Sequence, residues 1–256
     1  MDLKLKNKVI LISGSSSGIG FFVAEAFLRE GAKIQISGRN DRKLQAAFSS
    51  LKGDFGSENV DYFCGDLNKS DEVERALAQL KNKFGQIDSV ISNVGSGGGP
   101  RGWEVSPEKW ASMIDKNLLG SVGLATKSVP HLKGRKDPSI TFISSIAGLE
   151  SIDAPIPYSA AKAGLQMASK NLARQLGPDG IRVNTIAPGN VLTPGGVWDE
   201  KIKASSDEIK NYIQTEVPLG RLAKPEEIAD AVLFLTSERA SFISGALLCI
   251  DGAQTH

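Results

Sequence analysis

Short apolar runs alternate with longer amphipathic segments along the whole chain, and this alternation constrains the fold more than any other feature. The first run, residues 9–13 (VILIS), is typical of a strand that is buried on both faces of a sheet. The same pattern predicts six further strands, at residues 33–37, 60–64, 87–92, 140–144, 181–186 and 246–250. A chain of 256 residues has room for one large α/β domain or two small ones.

Helices are predicted between these strands, at residues 21–30, 71–84, 157–176 and 225–236, with two more that begin at Asp41 and at Ser106–Pro107. Gly31 suits the position just past a helix end, and Ser70 is the expected N-cap of the third helix. Strict alternation of this kind favours parallel strands joined by right-handed crossovers, with helices on both faces of the sheet.

The bulk composition excludes several classes of function. The formal net charge is +1, so no field across the whole molecule attracts nucleic acid or an anionic membrane. The charged N-terminus leads into only about five apolar residues, too few for a signal peptide or a membrane span. We therefore expect a cytoplasmic protein without nucleic-acid or membrane partners, in which Cys64 and Cys249 are free thiols.

Metal and hydrolase chemistry are also disfavoured. The chain has two histidines, His131 and His256, and no C-x-x-C or H-E-x-x-H motif, so we expect no metal site. A Ser-His-Asp triad would need one of these two histidines, and no G-x-S-x-G motif accompanies them.

Two loops stand out because each follows a predicted strand. Residues 95–102 (GSGGGPRG) come after the fourth strand and are rich in glycine. Residues 188–215 come after the sixth strand and form the longest stretch without a clear strand. Since loops at the carboxyl ends of parallel strands build the ligand sites of open α/β sheets, we expect residues 188–215 to act as a substrate loop.

A glycine-rich turn joins the first strand to the first helix. Its glycines are spaced G-x3-G-x-G, which differs from the G-x-G-x-x-G of the standard dinucleotide fingerprint. Glycine lets the backbone approach a ligand closely, and a helix N-terminus offers free N–H groups to a pyrophosphate. The position favours a nucleotide site over a flexible Gly/Ser turn. The candidate phosphate-binding residues are Gly14, Ser16, Ser17, Gly18, Ile19 and Gly20.

The end of the second strand should set the choice between NADP and NAD. An acidic residue there would bind the ribose 2′-hydroxyl of NAD, but the sequence has Arg39 followed by Asn40. Asp41 comes later, where we expect it to cap the next helix. Arg39 suits a 2′-phosphate, and Arg42 and Lys43 could add charge. The pattern favours NADP(H) over NAD(H), although Arg39 as a solvated surface residue is the alternative.

Tyr158 and Lys162 form a candidate proton-transfer pair. Residues four apart lie on one face of a helix, and Pro157 favours a helix start just before Tyr158. A tyrosine pKa of about 10 is too high for easy proton exchange at neutral pH. A neighbouring ammonium would lower that pKa and fit the phenol for general acid–base work. Taken alone, the pair is better explained by an ordinary helix surface.

Two polar residues elsewhere give this pair a chemical context. Ser145 follows the fifth predicted strand, where its hydroxyl could hold a substrate oxygen that Tyr158 protonates. Asn117 lies inside the helix predicted from Ser106, and a polar residue away from helix ends needs a reason. It could bind a water that passes protons to Lys162, or it could be a satisfied core amide.

With these residues together, the chain resembles the short-chain dehydrogenase/reductase family from Val9 to Gly252. The motifs that carry the resemblance are Gly14-x3-Gly18-x-Gly20, Asp66-Leu67, Ser92-Asn93-Val94-Gly95, Lys116-Asn117, Ser144-Ser145, Tyr158-x3-Lys162 and Arg182-Val-Asn184-x3-Pro188-Gly189. The resemblance implies a single-domain Rossmann fold over residues 1–256, with a doubly wound seven-stranded parallel sheet and helices on both faces.

The resemblance also implies roles for individual residues. The implied catalytic tetrad is Asn117, Ser145, Tyr158 and Lys162. The implied cofactor contacts are Asp66 near the adenine, Asn93 beside the adenosine ribose or the central strand, Lys162 at the nicotinamide ribose, and Val191 and Thr193 at the carboxamide or pyrophosphate, with Leu67, Gly95, Tyr158, Pro188 and Gly189 completing the site. A basic residue at Arg39 is the family's usual mark of NADP preference.

The sequence therefore predicts an NADP(H)-dependent oxidoreductase that interconverts a ketone and a secondary alcohol. A 3-oxoacyl-thioester reductase is the first expectation, and a sugar or polyol dehydrogenase of the same family is the alternative. A hypothesis of another class is a regulator that only senses NADP. Regulators of this fold usually lack the tyrosine or the lysine, and both are present here.

Substrate contacts and self-association are the remaining expectations. Trp103 and Trp198 could cover an acyl chain, stack on a sugar or simply pack in the protein. The helix after Tyr158 is rich in small residues, namely Ala160, Ala161, Ala163, Gly164 and Ala168. Small residues allow close packing either on the helix's own sheet or on a second copy. We expect a homo-oligomer, either a dimer or a tetramer.

Overall fold

A computed structural model describes residues 1–255 of the chain. Seven parallel strands form one sheet in the order β3-β2-β1-β4-β5-β6-β7, which confirms the predicted doubly wound sheet. The strands are Val9–Ile12 (β1), Lys33–Gly38 (β2), Val60–Cys64 (β3), Ser89–Ser92 (β4), Ser139–Ile143 (β5), Arg182–Pro188 (β6) and Leu247–Ile250 (β7). The central strand β1 pairs with β2 on one side, Ile10 opposite Ile34, and with β4 on the other, Ile10 opposite Ser89.

Nine α-helices lie within the described residues. They are Gly18–Arg29 (α1), Asp41–Phe55 (α2), Ser70–Phe84 (α3), Pro107–Ile114 (α4), Gly120–Leu132 (α5), Ile156–Leu176 (α6), Val197–Ala204 (α7), Ser206–Glu216 (α8) and Pro225–Thr236 (α9). Alternate residues of β1 face opposite sides of the sheet: Ile10 and Ile12 pack with α1, α2 and α9, whereas Val9 and Leu11 pack with α3, α5 and α6. The helices therefore cover both faces of the sheet, as predicted.

The first two helices begin differently from the predictions. α1 begins at Gly18, three residues earlier than expected, so the last two glycines of the turn belong to the helix. α2 is capped by Asn40, whose Oδ1 accepts a hydrogen bond from Lys43 N at 3.0 Å. The expectation that Asp41 is the cap is wrong, because Asn40 holds the extended backbone that an N-cap requires and Asp41 is already helical.

Two further boundaries shift by a residue. Ser70 is the first residue of α3 and not its cap, because Lys69 holds the extended cap position. β5 ends at Ile143, one residue before its predicted end, so Ser144 and Ser145 both lie beyond the strand. Gly31 does follow the end of α1, with a φ of +75° that favours glycine.

The segment that we expected to be a loop, residues 188–215, contains two helices, α7 and α8. Neither helix has a fully buried residue. Both helices are short, 8 and 11 residues, so each offers only a few apolar positions from which a helical period could be recognised. This explains why the sequence pattern missed both.

The first part of the last quoted motif, Arg182 to Asn184, is structural in this protein. The buried guanidinium of Arg182 donates hydrogen bonds to the carbonyls of Leu235, Thr236 and Ser237 at the end of α9. Asn184 holds the segment that leads into β7, because its Oδ1 accepts from Ala246 N at 3.0 Å. These contacts fix β6, α9 and β7 relative to one another. None of the helices within residues 1–255 combines the length and the apolar character that crossing a membrane would need.

Candidate active site

A cavity of about 770 Å³ lies along the carboxyl edge of the sheet. Its lining comes from the segments that follow β1, β2, β3, β4 and β6, together with the start of α6. Since β1 lies between β2 and β4, the connections leave the sheet in opposite directions at this point. Doubly wound sheets bind their ligands at such a point.

Most of the predicted site residues line this cavity. They are Gly14, Ser16, Ser17, Gly18, Ile19, Arg39, Asp66, Leu67, Asn93, Gly95, Tyr158, Gly189, Val191 and Thr193. The others lie outside its lining: Gly20, Asn117, Ser145, Lys162 and Pro188. Four of the residues outside the lining, Gly20, Asn117, Ser145 and Lys162, contact or support residues that do line the cavity.

Several lining residues were not predicted. They include Gly38, Asn40, Gly65, Asn68 and Lys116. Most are sequence neighbours of predicted residues, so extending each motif by one or two positions past its strand would have found them. Ser96, Gly196 and Val197 also line the cavity, and they belong to the two loops, residues 95–102 and 188–215, that the sequence analysis singled out.

The N-terminus of α1 is suited to a pyrophosphate. Ser17 is extended, its side chain makes no capping hydrogen bond, and the first turn carries no acidic residue. The N–H groups of this turn are therefore not capped by a side chain at the point where Gly18 and Ile19 line the cavity. A methyl group built on Gly18 would meet nothing within 4 Å, which leaves the backbone open to a ligand.

The other glycines of this turn are needed for packing. A Cβ on Gly20 would lie 2.5 Å from the carbonyl oxygen of Gly14, and a Cβ on Gly14 would lie 2.6 Å from the carbonyl oxygen of Asn93. Asn93 also ties the turn to β4, since its Nδ2 donates to Gly14 O at 3.0 Å and its backbone N–H donates to Ser13 Oγ at 2.8 Å. These contacts agree with the expectation that Asn93 lies beside the central strand.

The segment after β2 gives the cavity a basic end. Arg39 and Lys43 both belong to the lining, whereas Arg42 does not. Asp66 is the one acidic residue among the lining residues that the structure describes, and it follows β3. Its Oδ1 accepts a hydrogen bond from Asn68 Nδ2 at 3.0 Å. The residues present fit a phosphorylated ribose beside Arg39.

Tyr158 and Lys162 lie on one face of α6, as predicted. Tyr158 lines the cavity, whereas Lys162 is only 4% exposed and lies behind it. Lys162 Nζ donates a hydrogen bond to the carbonyl of Ile143 at 3.0 Å and lies 5.8 Å from the centre of the Tyr158 ring. The helix therefore joins the phenol to a buried amine at the end of β5.

The ionisation of this pair differs from the expectation. Burial raises the pKa of Tyr158, and a hydrogen bond with Ser145 partly offsets that rise. The expected lowering of this pKa by Lys162 is wrong for this arrangement, because desolvation of the phenolate outweighs every favourable contact. Burial also lowers the pKa of Lys162, to about 8. Tyr158 is consequently a neutral phenol near neutral pH.

Ser145 lies next to Tyr158 at the end of β5. Its backbone is extended, and its Oγ accepts a hydrogen bond from Ala147 N at 3.1 Å. The remaining hydroxyl proton is available to the Tyr158 oxygen, which agrees with the downward effect of Ser145 on the pKa of Tyr158. The hydroxyl of Ser145 thus lies directly behind the Tyr158 phenol, which lines the cavity.

Asn117 lies in a π-helical turn, Asp115–Leu119, between α4 and α5. The continuous helix expected from Ser106 is therefore interrupted, and π-turns often mark functional sites. Asn117 is fully buried, accepts a hydrogen bond from Ser96 N at 2.9 Å and donates one to Met113 O at 3.1 Å. Both polar atoms of its amide have partners, so Asn117 matches the second of the two expectations, a satisfied core amide.

Gly95 brings Asn117 and Lys162 close together. Its φ is +134°, and a Cβ there would lie 2.4 Å from Asn117 Oδ1 and 3.4 Å from Lys162 Nζ. The two polar side chains therefore approach the same backbone position from different elements. Within residues 1–255, no group of three or more His, Cys, Asp and Glu side chains is placed to hold a metal ion.

Comparisons with known proteins agree with this geometry. A family model described as Enoyl-(Acyl carrier protein) reductase matches residues 14–255. A 3-oxoacyl-[acyl-carrier-protein] reductase of Chlamydia muridarum is 39% identical over 254 residues, which cover 98% of this chain and 99% of the relative. A 3alpha-hydroxysteroid dehydrogenase of Mediterraneibacter gnavus is 30% identical over 253 residues, which cover 99% of each chain.

A solved structure shows the same similarity in three dimensions. It is the L-sorbose reductase of Gluconobacter frateurii complexed with NADPH and L-sorbose. It superposes with a TM-score of 0.92 at 33% identity, and the match covers 99% of this chain and 98% of that chain.

The lowered pKa of Lys162 predicts a specific pH dependence of stability. Because the folded pKa of about 8 lies below that of a free lysine, the buried ammonium destabilises the fold below pH 8. That penalty fades as pH rises toward the unfolded pKa of about 10.4. Lys162→Met removes the penalty. We expect its free energy of unfolding, relative to wild type, to fall by about 2 kcal/mol between about pH 7 and about pH 10.

Denaturant unfolding of both proteins across this pH range measures the effect. Lys170→Met, which removes an exposed lysine from the same helix, is the control and should show no such trend. A difference between Lys162→Met and wild type that stays constant with pH would contradict a buried, easily deprotonated Lys162.

Proposed function

The chain belongs to the short-chain dehydrogenase/reductase family and is an oxidoreductase that acts on keto and CH–OH groups; on this premise we propose that it works with NADP(H) and that Tyr158 exchanges the proton. The observation that carries this proposal is the arrangement around Tyr158. A neutral phenol faces the cavity, Ser145 hydrogen-bonds to it, and the buried amine of Lys162 lies one helical turn behind.

The proposed nucleotide site follows the cavity. The turn at Gly18 and Ile19 would hold the pyrophosphate, Asp66 and Leu67 the adenine, and Tyr158 and Lys162 the nicotinamide ribose. Bound NADPH would supply a hydride to the carbonyl carbon of a ketone. Gly95, Pro188, Gly189, Val191 and Thr193 would complete the site. The uncapped helix N-terminus and the open Gly18 support this assignment.

Ser145 and Tyr158 would bind and protonate the substrate oxygen. Ser145 would donate a hydrogen bond to the carbonyl oxygen and polarise it. Tyr158 would give its phenolic proton to that oxygen as the carbonyl carbon becomes a CH–OH carbon. Because burial keeps Tyr158 protonated near neutral pH, the residue is in the acid form that ketone reduction requires. Alcohol oxidation would run the same steps in reverse.

Lys162 would restore the proton on Tyr158, and Asn117 would hold the backbone beside Lys162 in place. The Lys162 amine has a pKa of about 8, so it can both hold and release a proton near neutral pH. Asn117 fixes the backbone of Ser96 and packs against Gly95, beside Lys162 Nζ. The proposed role of Asn117 is thus to fix the Gly95–Ser96 backbone beside Lys162 Nζ.

The preference for NADP(H) rests on the basic end of the cavity. Arg39 and Lys43 line it directly after β2, at the position where NAD-specific sites place an acidic residue. Asp41 does not belong to the lining and accepts a hydrogen bond from Gln45 instead. A 2′-phosphate would therefore meet two cations and no carboxylate from this segment.

A 3-oxoacyl thioester is the substrate class that we propose first, because the Chlamydia muridarum relative is 39% identical over almost the whole chain. A sugar or polyol is the second candidate, supported by the L-sorbose reductase fold. Trp198 lines the cavity and stacks on Tyr212, with ring centres 5.2 Å apart, so it is placed to contact either substrate. Trp103 is 80% exposed and lies outside the lining.

We also propose that the chain forms a homo-oligomer through α6. Ala160 and Ala163 are exposed on this helix, and Met167 is 60% exposed one turn further along. A small-sided helix with an exposed methionine suits close contact with a second copy. Ala161, by contrast, packs inward on the chain's own core.

Replacing Tyr158 with phenylalanine tests the proton-transfer role. The variant keeps the ring and loses the phenolic proton, so we expect NADPH affinity within about twofold of wild type and turnover reduced by about 10²- to 10⁴-fold. Nucleotide fluorescence measures the affinity, and loss of reduced-nicotinamide absorbance measures turnover. Tyr62→Phe, the same change on β3 away from the cavity, is the control; full turnover in Tyr158→Phe would overturn the mechanism.

Replacing Arg39 with alanine tests the cofactor preference. A charge-assisted hydrogen bond contributes about 1.5–3 kcal/mol, so kcat/KM for NADPH should fall by about 10- to 100-fold while the value for NADH changes little. Arg42→Ala removes a neighbouring cation that does not line the cavity and should leave both values unchanged. Equal losses with both nucleotides would argue against a 2′-phosphate site at Arg39.

A further inference from the structure

Gln166 is a buried polar residue that the proposed mechanism does not use. It lies on α6, one helical turn beyond Lys162 and two turns beyond Tyr158, so it shares their face of the helix. It is 6% exposed and does not line the cavity. A buried amide needs partners for its polar atoms, and these partners indicate what it does.

The amide of Gln166 donates to both residues of the Ser144-Ser145 pair. Its Nε2 lies 2.9 Å from the backbone oxygen of Ser145 and 3.2 Å from Ser144 Oγ. Ser144 Oγ in turn donates to the backbone oxygen of Lys162 at 3.2 Å. Both hydrogens of one NH₂ group therefore connect α6 to the segment that follows β5.

The turn after Ser145 closes over this amide. Ile146–Gly148 forms a short 3₁₀ turn, and a Cβ on Gly148 would lie 2.7 Å from Gln166 Nε2 and 2.7 Å from Ala163 N. The turn can approach the helix this closely only because residue 148 is glycine. The same turn supplies Ala147 N, which donates to Ser145 Oγ at 3.1 Å.

We propose that Gln166 is a positioning residue that sets the place of the Ser145 hydroxyl relative to the Tyr158 phenol; this rests on the proposed function. Gln166 and Tyr158 belong to one rigid helix, whereas Ser145 lies in a segment between a strand and a turn. The two hydrogen bonds from Gln166 hold that segment at a fixed position along the helix. A displacement of about 1 Å between reacting groups can lower turnover by about 10²-fold.

An uncharged amide side chain meets this requirement, because its NH₂ group can donate to two acceptors at once. The two acceptors, a carbonyl oxygen and a hydroxyl oxygen that already donates elsewhere, both need a donor. A methionine of similar size fills the space and donates nothing. A glutamate has the same shape, but its ionised oxygens would face the Ser145 carbonyl and repel it.

Gln166→Met tests the proposal in the full-length protein. With NADPH and the ketone that wild type reduces fastest, we expect kcat to fall by about 10- to 100-fold. The NADPH dissociation constant should stay close to wild type, because Gln166 does not line the cavity. The melting temperature should fall, because two acceptors beside the buried amide lose their donor. Gln175→Met, which changes an exposed glutamine on the same helix, is the matched control.

Combining the change with Ser145→Ala separates positioning from a general structural role. If Gln166 acts through Ser145, then Gln166→Met should cause no further loss of kcat once the Ser145 hydroxyl is absent. Losses that multiply in the double variant, or a wild-type kcat in Gln166→Met, would overturn the proposal. If the methionine variant does not fold, Gln166→Glu is measured in the same way, and the same outcomes apply.

The experiment also distinguishes this proposal from the proposed function. A loss of turnover in Ser145→Ala without one in Gln166→Met would overturn only the role of Gln166. Wild-type turnover in Ser145→Ala would overturn the proposed role of Ser145 itself, and the positioning role would fall with it.

Discussion

The hydrogen bond from Lys162 Nζ to the carbonyl of Ile143 is the contact on which the rest of the site depends. It holds the first turns of α6 against the end of β5, and so places Tyr158 at the cavity wall beside Ser145. The bond is made by a side chain that is almost fully buried, which lowers the pKa of Lys162 to about 8. The hydrogen bond therefore fixes the position of the phenol, while burial of the same side chain lowers the pKa of the amine behind it.

At three contacts around the cavity, a glycine lets two parts of the chain approach each other closely. Gly95 allows Asn117 and Lys162 to approach the same backbone position, and Gly148 allows a turn to pack on Gln166. Gly20 performs the same task between α1 and the turn after β1. A side chain at any of these positions would push the elements apart. The positions of the reactive side chains thus depend on glycines that take no part in the proposed reaction.

Much of this arrangement could be predicted from the sequence. The strand pattern gave the sheet, because strands buried on both faces are continuous apolar runs. The i, i+4 spacing gave the shared face of Tyr158 and Lys162. The α7 and α8 helices were missed because each is short, at 8 and 11 residues, and offers few positions from which to recognise a helical period. The π-turn at Asn117 was missed because no local pattern marks an extra residue in a helix.

The pKa of Tyr158 could not be predicted from residue types alone. The sequence showed a lysine nearby, but the sign of the shift depends on how much solvent the phenol loses on folding. Gln166 was missed for a related reason. Its partners, Ser144 and Ser145, lie about twenty residues away in sequence, and only the packed structure brings them within hydrogen-bonding distance.

The central claim is that this cavity joins nucleotide binding to proton transfer on a carbonyl. The most direct test adds a panel of 3-oxoacyl thioesters, ketoses and other ketones to the wild-type protein with NADPH or NADH, and follows the absorbance of the reduced nicotinamide. The account predicts that at least one ketone oxidises NADPH, and does so faster than NADH. Tight binding of NADPH with no oxidation by any ketone would contradict it, and would indicate a protein that only senses the nucleotide.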